Sequence, residues 1–189
     1  DGGHRVPCFI HWPEGDLVGG CDVSRITAHV DILPTLAELC GLKLPKSVKI
    51  DGKSLVPLLK GEGTWPERTL FVHSQRIEFP EQWRKCAVMT DRWRLVNGKE
   101  LFDLKADPKQ ANDIAAQHPE VFQRLRGAYE KFWSDVSREH DLTSYMVIGS
   151  GRSPIVSLSS HDWLIDKLPP WNQGHVRSGA VAEESVWAI

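Results

Sequence analysis

The 189-residue sequence has four cysteines, Cys8, Cys21, Cys40 and Cys86, and no CxxC pair among them. That spacing excludes the common structural zinc sites. No apolar run approaches the roughly 20 residues that a membrane helix needs. An excess of positive charge is missing too: 23 Lys and Arg stand against 25 Asp and Glu, for a net charge of -2. A general nucleic-acid binder usually shows a basic face, so that class is disfavoured. There is no internal repeat and no low-complexity tract. What is present is an ordinary globular composition, 41% hydrophobic, in a length suited to one moderate domain or two small ones. The eight Trp are many for this size. Trp stacks on sugars in some proteins but more often fills a core. Cys8 in an apolar stretch and Cys40 at the end of an apolar helix read as small buried hydrophobes. An even cysteine count also leaves room for two disulfides, so the redox compartment stays open.

Along the chain, Asp1-Gly2-Gly3 reads as a turn and Val6 to Trp12 as a buried strand stopped by Pro13. A chain that opens on a turn feeding a core strand has the look of a cut piece. A helix is expected over "HVDILPTLAELCG", with Asp31 capping its first turn and Pro34 early enough to be tolerated. Ile32, Leu36, Leu39 and Cys40 would form its apolar face and Gly41 its terminator. After the connector 60–68 come four short strand patterns, "TLFVHS", "KCAVMT", "WRLVN" and "ELFDL", with an Asn-Gly hairpin turn at 97–99. A long helix follows, about 119 to 138. Val121, Leu125, Ala128, Phe132 and Val136 make one stripe, with Phe122, Tyr129 and Trp133 beside it. The contacts expected with the sheet are Val121, Leu125, Phe132 and Trp133. The tail reads as a flexible joint "GSGRSP", a strand "IVSLSS", a loop "KLPPWNQG" and a strand "SVWAI".

Chemistry is sparse. His29-Val30-Asp31 has the spacing of a metal or base pair, but Asp31 is better used at the helix start, with His29 hydrogen-bonding there. His161-Asp162 lacks an evident nucleophile. Gly2-Gly3 is no phosphate loop, since it precedes a strand and lacks the GxxxxGK[ST] pattern. Arg5 suits a buried hydrogen-bond donor better than an anion ligand. The best polar cluster is "HSQR": His73, Ser74, Gln75 and Arg76 follow an apolar strand, where sites are often carried. Arg76 can hold an anionic group and His73 can donate to one; a solvated edge is the plainer reading. These residues alone support an α+β chain and no particular reaction.

The order of blocks adds more. "DGGHRVPCFIHWP", "TAHVDILPTLAELCGL", "IDGKSLVPLLKG", "RTLFVHSQ" and "AVMTDRWRLVNGKELFDLKADPKQANDIA" together resemble the C-terminal part of the sulfatase family. They match the family's [E/D]GGxRVPxxxxWP, HxDxxPTxxxLxG and DGxSLxPLLxG segments and its "LYDLxxDPxExxNLA" ending, over about residues 1 to 138. "SSHDW" and "PPWNQGHVRSG" resemble extensions of some bacterial arylsulfatase-like members.

The resemblance implies an α+β fold in three parts. Residues 1–65 would be the last strand and helix of an α/β sulfatase domain. Residues 66–140 would be a small antiparallel sheet packed by the long helix. Residues 141–189 would be a linker and the start of a further, irregular β region. It implies a sulfuric ester hydrolase in which a formylglycine, made from Cys or Ser in a [CS]xPxR motif, attacks sulfur beside a calcium ion. That motif does not occur here. No catalytic and no metal residue is therefore assigned, and the fragment is expected to hold no cofactor and to be inactive alone. Its part would be to shape the substrate entrance, with His73, Gln75 and Arg76 as substrate-binding residues. The implied partner is a sulfated small molecule or glycan, with no nucleic acid and no membrane; self-association is expected of the isolated fragment. A periplasmic or extracellular location goes with the family. The alternatives are a non-catalytic Trp-rich module that binds a glycan or protein, and a piece of a related phosphate or phosphonate ester hydrolase.

Overall fold

The computed structural model describes residues 6–75, 77, 80–139, 151, 155–157, 163–164, 173–179 and 186–187. The chain divides into two compact units, Asp1–Arg138 and Glu139–Ile189.

In the first unit, α1 spans Ile32–Leu39. It stops where expected: Gly41 is left-handed at φ 65°, and Leu42 N–H reaches back to the Ala37 carbonyl at 2.7 Å. The buried side is not the expected one. Pro34, Thr35 and Ala37 face inward, whereas Ile32, Leu33 and Leu36 are exposed. Cys40 and Cys8 are exposed as well, and Cys86 is the buried cysteine. The reason is polar. The inward side carries Asp31 and Thr35, which satisfy backbone donors of the following segment, and that pairing outweighs the apolar stripe in setting the helix's rotation. The short α2, Val56–Leu59, continues from that segment and buries Val56.

The expected strand Val6–Trp12 does not form. Residues 6–11 are irregular, Phe9 is 93% exposed, and only Trp12 pairs, across a tight turn with Leu17. A strand is held by a neighbour that takes its N–H and C=O groups, and no described strand lies beside this one.

The sheet is an antiparallel meander in the order β1 (Leu70–His73), β2 (Cys86–Met89), β3 (Trp93–Val96) and β4 (Glu100–Asp103). All four lie within the strand patterns read from the sequence. The β3–β4 turn has Asn97 and Gly98 both at positive φ, with Lys99 N–H bonded to the Val96 carbonyl at 2.9 Å. Register puts Phe71, Val88, Leu95 and Leu101 in one cross-strand row. The long helix α3, Pro119–Val136, covers the face that this row belongs to. Leu125 and Tyr129 are its fully buried residues, and Val121, Phe122, Phe132 and Trp133 pack around the same core. The stripe is thus turned toward Tyr129, and Val136 ends outside at 43% exposure. Replacing Leu125, 1% exposed, with Ala should cost about 2–5 kcal/mol of stability, because the sheet and helix cannot collapse fully onto the space it leaves. Urea unfolding followed by circular dichroism measures this; a loss below about 0.5 kcal/mol would place α3 wrongly.

In the second unit, β5 (Trp163–Leu164) and β6 (Val186–Trp187) pair antiparallel, with Trp163 opposite Trp187. A short helix α4, Gln173–Ser178, begins where the "KLPPWNQG" loop was expected to end. Residues 155–157 are irregular although a strand was expected to start there. Arg5, His161, Asp162 and most of the expected joint lie outside the described residues.

Candidate functional site

Three of the sequence blocks meet at Asp31. Its two carboxylate oxygens accept from Arg68 Nη1 at 2.9 and 2.8 Å, from Lys53 N at 2.8 Å and from Ala28 N at 2.8 Å. Asp31 is wholly buried and Arg68 nearly so. Thr35 extends the knot: its hydroxyl donates to the Asp31 carbonyl and accepts Leu55 N–H at 2.9 Å. Gly52 lets the segments close up, since a Cβ there would lie 1.9 Å from the Val30 carbonyl oxygen. Asp31 stands at the start of α1, but its side chain reaches back and across rather than capping α1 amides. With both oxygens committed, it has no role left as a metal ligand or general base. His29 is exposed beside it. The sequence flagged the His-x-Asp spacing, but nothing in the spacing pointed to Arg68, 37 residues away.

The "HSQR" cluster lies at the end of β1. The His73 ring rests among three aromatic rings of α3, with centroids 5.6 Å from Tyr129, 6.0 Å from Phe132 and 5.8 Å from Trp133. Partial burial lowers its pKa from the usual histidine value. It is therefore a neutral donor and acceptor near pH 7 rather than a cation. Ser74 N–H donates to the Lys85 carbonyl at 2.9 Å. The Gln75 amide is pinned at both ends, Nε2 donating to the Glu81 carbonyl at 2.7 Å and Oε1 accepting Glu81 N–H at 2.8 Å. Gln75 thus closes the 75–81 loop. Arg76 lies outside the described residues. The structure brings His73 and Gln75 to the same strand end, and it gives them different tasks.

Beside them sits a feature the sequence did not reveal. The Trp83 ring lies tilted against Tyr129 with centroids 3.9 Å apart, and the Arg126 guanidinium lies 4.8 Å from its ring centre. Arg126 also donates to the Gly98 carbonyl at 2.8 Å. Trp83 N–H donates to the Tyr129 hydroxyl at 3.2 Å, and burial pushes that hydroxyl's pKa up to about 12. A shallow depression opens here, lined by Gln82, Trp83, Arg84, Lys85, Asn97 and Lys99.

Among the described residues no three His, Cys, Asp or Glu side chains converge. Nothing among the described residues would hold a calcium ion. Nor is any described helix long and apolar enough to cross a membrane.

The model of the N-sulphoglucosamine sulphohydrolase C-terminal family matches residues 1–133. The chain belongs to this sulfatase family. Mouse steryl-sulfatase is 41% identical over 73 residues, 39% of this chain and 12% of that protein. Bovine arylsulfatase A is 34% identical over 125 residues, 63% of this chain and 24% of that protein. An N-acetylglucosamine-6-O-sulfatase of Bacteroides thetaiotaomicron is 27% identical over 146 residues, 68% of this chain and 25% of that protein. The chain therefore spans between an eighth and a quarter of the length of these relatives. As a sulfatase C-terminal segment, it carries the family's blocks on the Asp31 knot, on β1 and along the β2–β4 meander.

Proposed function

We propose that the chain works as the C-terminal part of a sulfatase-type sulfuric ester hydrolase and shapes the substrate entrance there. The observation that supports this most is the family match over residues 1–133, joined to a sheet end that presents a polar group bedded on aromatics. Residues 1–65 would complete the α/β part and residues 66–140 would form the small domain, with 141–189 a further region. Formylglycine and calcium would belong to sequence outside this chain. The exposed face of α1, with Ile32, Leu33 and Leu36, would pack on that remainder. The isolated chain is then expected to self-associate through the same face. The N-acetylglucosamine-6-O-sulfatase activity of the Bacteroides relative favours a sulfated amino sugar or glycan as substrate, and the family relationship favours a periplasmic or extracellular site of action.

His73, Gln75 and Arg76 divide the work in this reading. His73, neutral and fixed by the rings of α3, hydrogen-bonds a sugar hydroxyl rather than the sulfate. Arg76 supplies the cation. Gln75 acts by fixing the loop that carries Arg76. Replacing His73 with Ala in the complete polypeptide should raise KM for a sulfated sugar about three- to ten-fold with kcat little changed, the size of one neutral hydrogen bond. His73→Asn, which keeps a donor and an acceptor, should recover part of the loss. Wild-type kinetics for His73→Ala across several sulfated substrates would make this cluster a solvated edge. A phosphate ester turned over in preference to a sulfate ester would move the protein to the related phosphohydrolases.

A further inference from the structure

We propose that the depression at the turn end of the small sheet is a second, anion-binding subsite, which takes a sulfate or carboxylate group carried by a sugar chain. The identity of the ligand as a sugar rests on the sulfatase reading above; the existence of an anion site does not. Three of the six lining side chains are cations, Arg84, Lys85 and Lys99, and two are the amides of Gln82 and Asn97. No carboxylate lines it, in a chain whose acidic residues outnumber its basic ones. Arg84 Nη1 is shut off from solvent and has no hydrogen-bond partner among the described residues. The ion pair of Arg84 with Glu81 runs through Nε, at 3.8 Å, and does not involve Nη1. Nη1 itself therefore does not line open space, but the Arg84 side chain as a whole is 34% exposed and can meet an anion in the depression.

The floor is preorganised. Trp83 is held between Tyr129 and Arg126, and a Cβ on Gly98 would come within 2.6 Å of its ring, so the turn and the indole fit closely. Trp83 and Lys85 both adopt positive φ, 63° and 44°, without being glycine. Such strain persists only where the surroundings impose it, and it is frequent at ligand clamps. Cations around an aromatic floor suit a planar or tetrahedral anion on a sugar ring. Asn97 Oδ1 accepts Cys86 N–H at 3.0 Å, so the Gln82 amide is the one left for neighbouring hydroxyls. The Ser74–Lys85 hydrogen bond links this depression to the strand end that carries His73.

The test uses the 189-residue chain, labelled with nitrogen-15 and titrated with three tetrasaccharides of equal length: a heparin-derived sulfated one, an unsulfated one with uronate carboxylates, and a neutral one. Amide shifts are expected at residues 82–85 and 97–99 with the sulfated probe, and they should weaken as salt is added. Shifts with the uronate probe as well would show that any anion suffices; shifts with the sulfated probe alone would assign the site to sulfate. Lys99 is exposed, so Lys99→Glu should fold normally and weaken binding about ten-fold or more by turning attraction into repulsion. Equal shifts with the neutral probe, no shifts at these residues, or unchanged affinity in Lys99→Glu would overturn the proposal. No turnover is measured, so these results stand apart from the kinetics of His73→Ala.

Discussion

Asp31→Ala should destabilise the first unit by about 3–5 kcal/mol, the usual consequence of removing one partner of a buried ion pair. Three groups lose their acceptor at once. Arg68 keeps its charge in a site with almost no solvent, and the Ala28 and Lys53 amides lose the oxygens that end their runs. The magnitude follows from desolvation rather than from the pair's attraction, because a buried guanidinium left alone has no water to turn to. Replacing both Asp31 with Leu and Arg68 with Met should therefore cost less than the sum of the single changes, while the two amides keep the double change from being free. Unfolding of the four proteins in urea gives the coupling. A single-site loss under about 1 kcal/mol would mean that the knot is solvated and holds little together. Since Arg68 stands two residues before β1, loosening it should also displace His73 at the other end of that strand.

The second large effect concerns catalysis, and it turns on which groups lack the means to attack sulfur. Cys86 is buried, and burial pushes its thiol pKa up, away from the thiolate that a nucleophile needs. Cys8, Cys21 and Cys40 are exposed but none begins a CxPxR motif. Asp31 is committed to Arg68 and two amides. His73 has an aromatic bed and no described carboxylate orienting it. None of these groups is an activated nucleophile.

Local patterns in the sequence carried the meander and α3 well. Short strand patterns marked β1 to β4, the Asn-Gly pair marked the β3–β4 turn, and Pro119 suited the first turn of α3. What misled was apolar content read without its neighbours. Val6 to Trp12 is hydrophobic enough for a core strand, yet a strand needs a partner ladder, and none is described beside it. In α1 the apolar residues were given the inner face, but the buried hydrogen-bond requirements of Asp31 and Thr35 took it. The helical pattern sets Tyr129 beside the α3 stripe, but its hydroxyl has a backbone partner at Trp83, which lets the side chain be buried whole. Contacts of that kind join residues 20 to 46 apart and leave no periodic trace. The basic depression was hidden for the same reason, since residues 82–85 and 97–99 meet only once β2 and β3 are paired. At the site itself, the "HSQR" block located the strand end, while its chemistry, a neutral imidazole and a loop-pinning amide, emerged only from the packing.

The most direct measurement is sulfate release by two proteins under the same conditions, with calcium and both an aryl sulfate and a sulfated glucosamine as substrates. One is the 189-residue chain alone; the other is a longer polypeptide that joins it to a sulfatase N-terminal part bearing a [CS]xPxR motif. The chain alone is expected to release no sulfate above buffer, and the joined protein to release it at an enzymatic rate, many orders of magnitude above the uncatalysed reaction. Turnover by the 189-residue chain that disappears when one of its own residues is replaced would contradict the account.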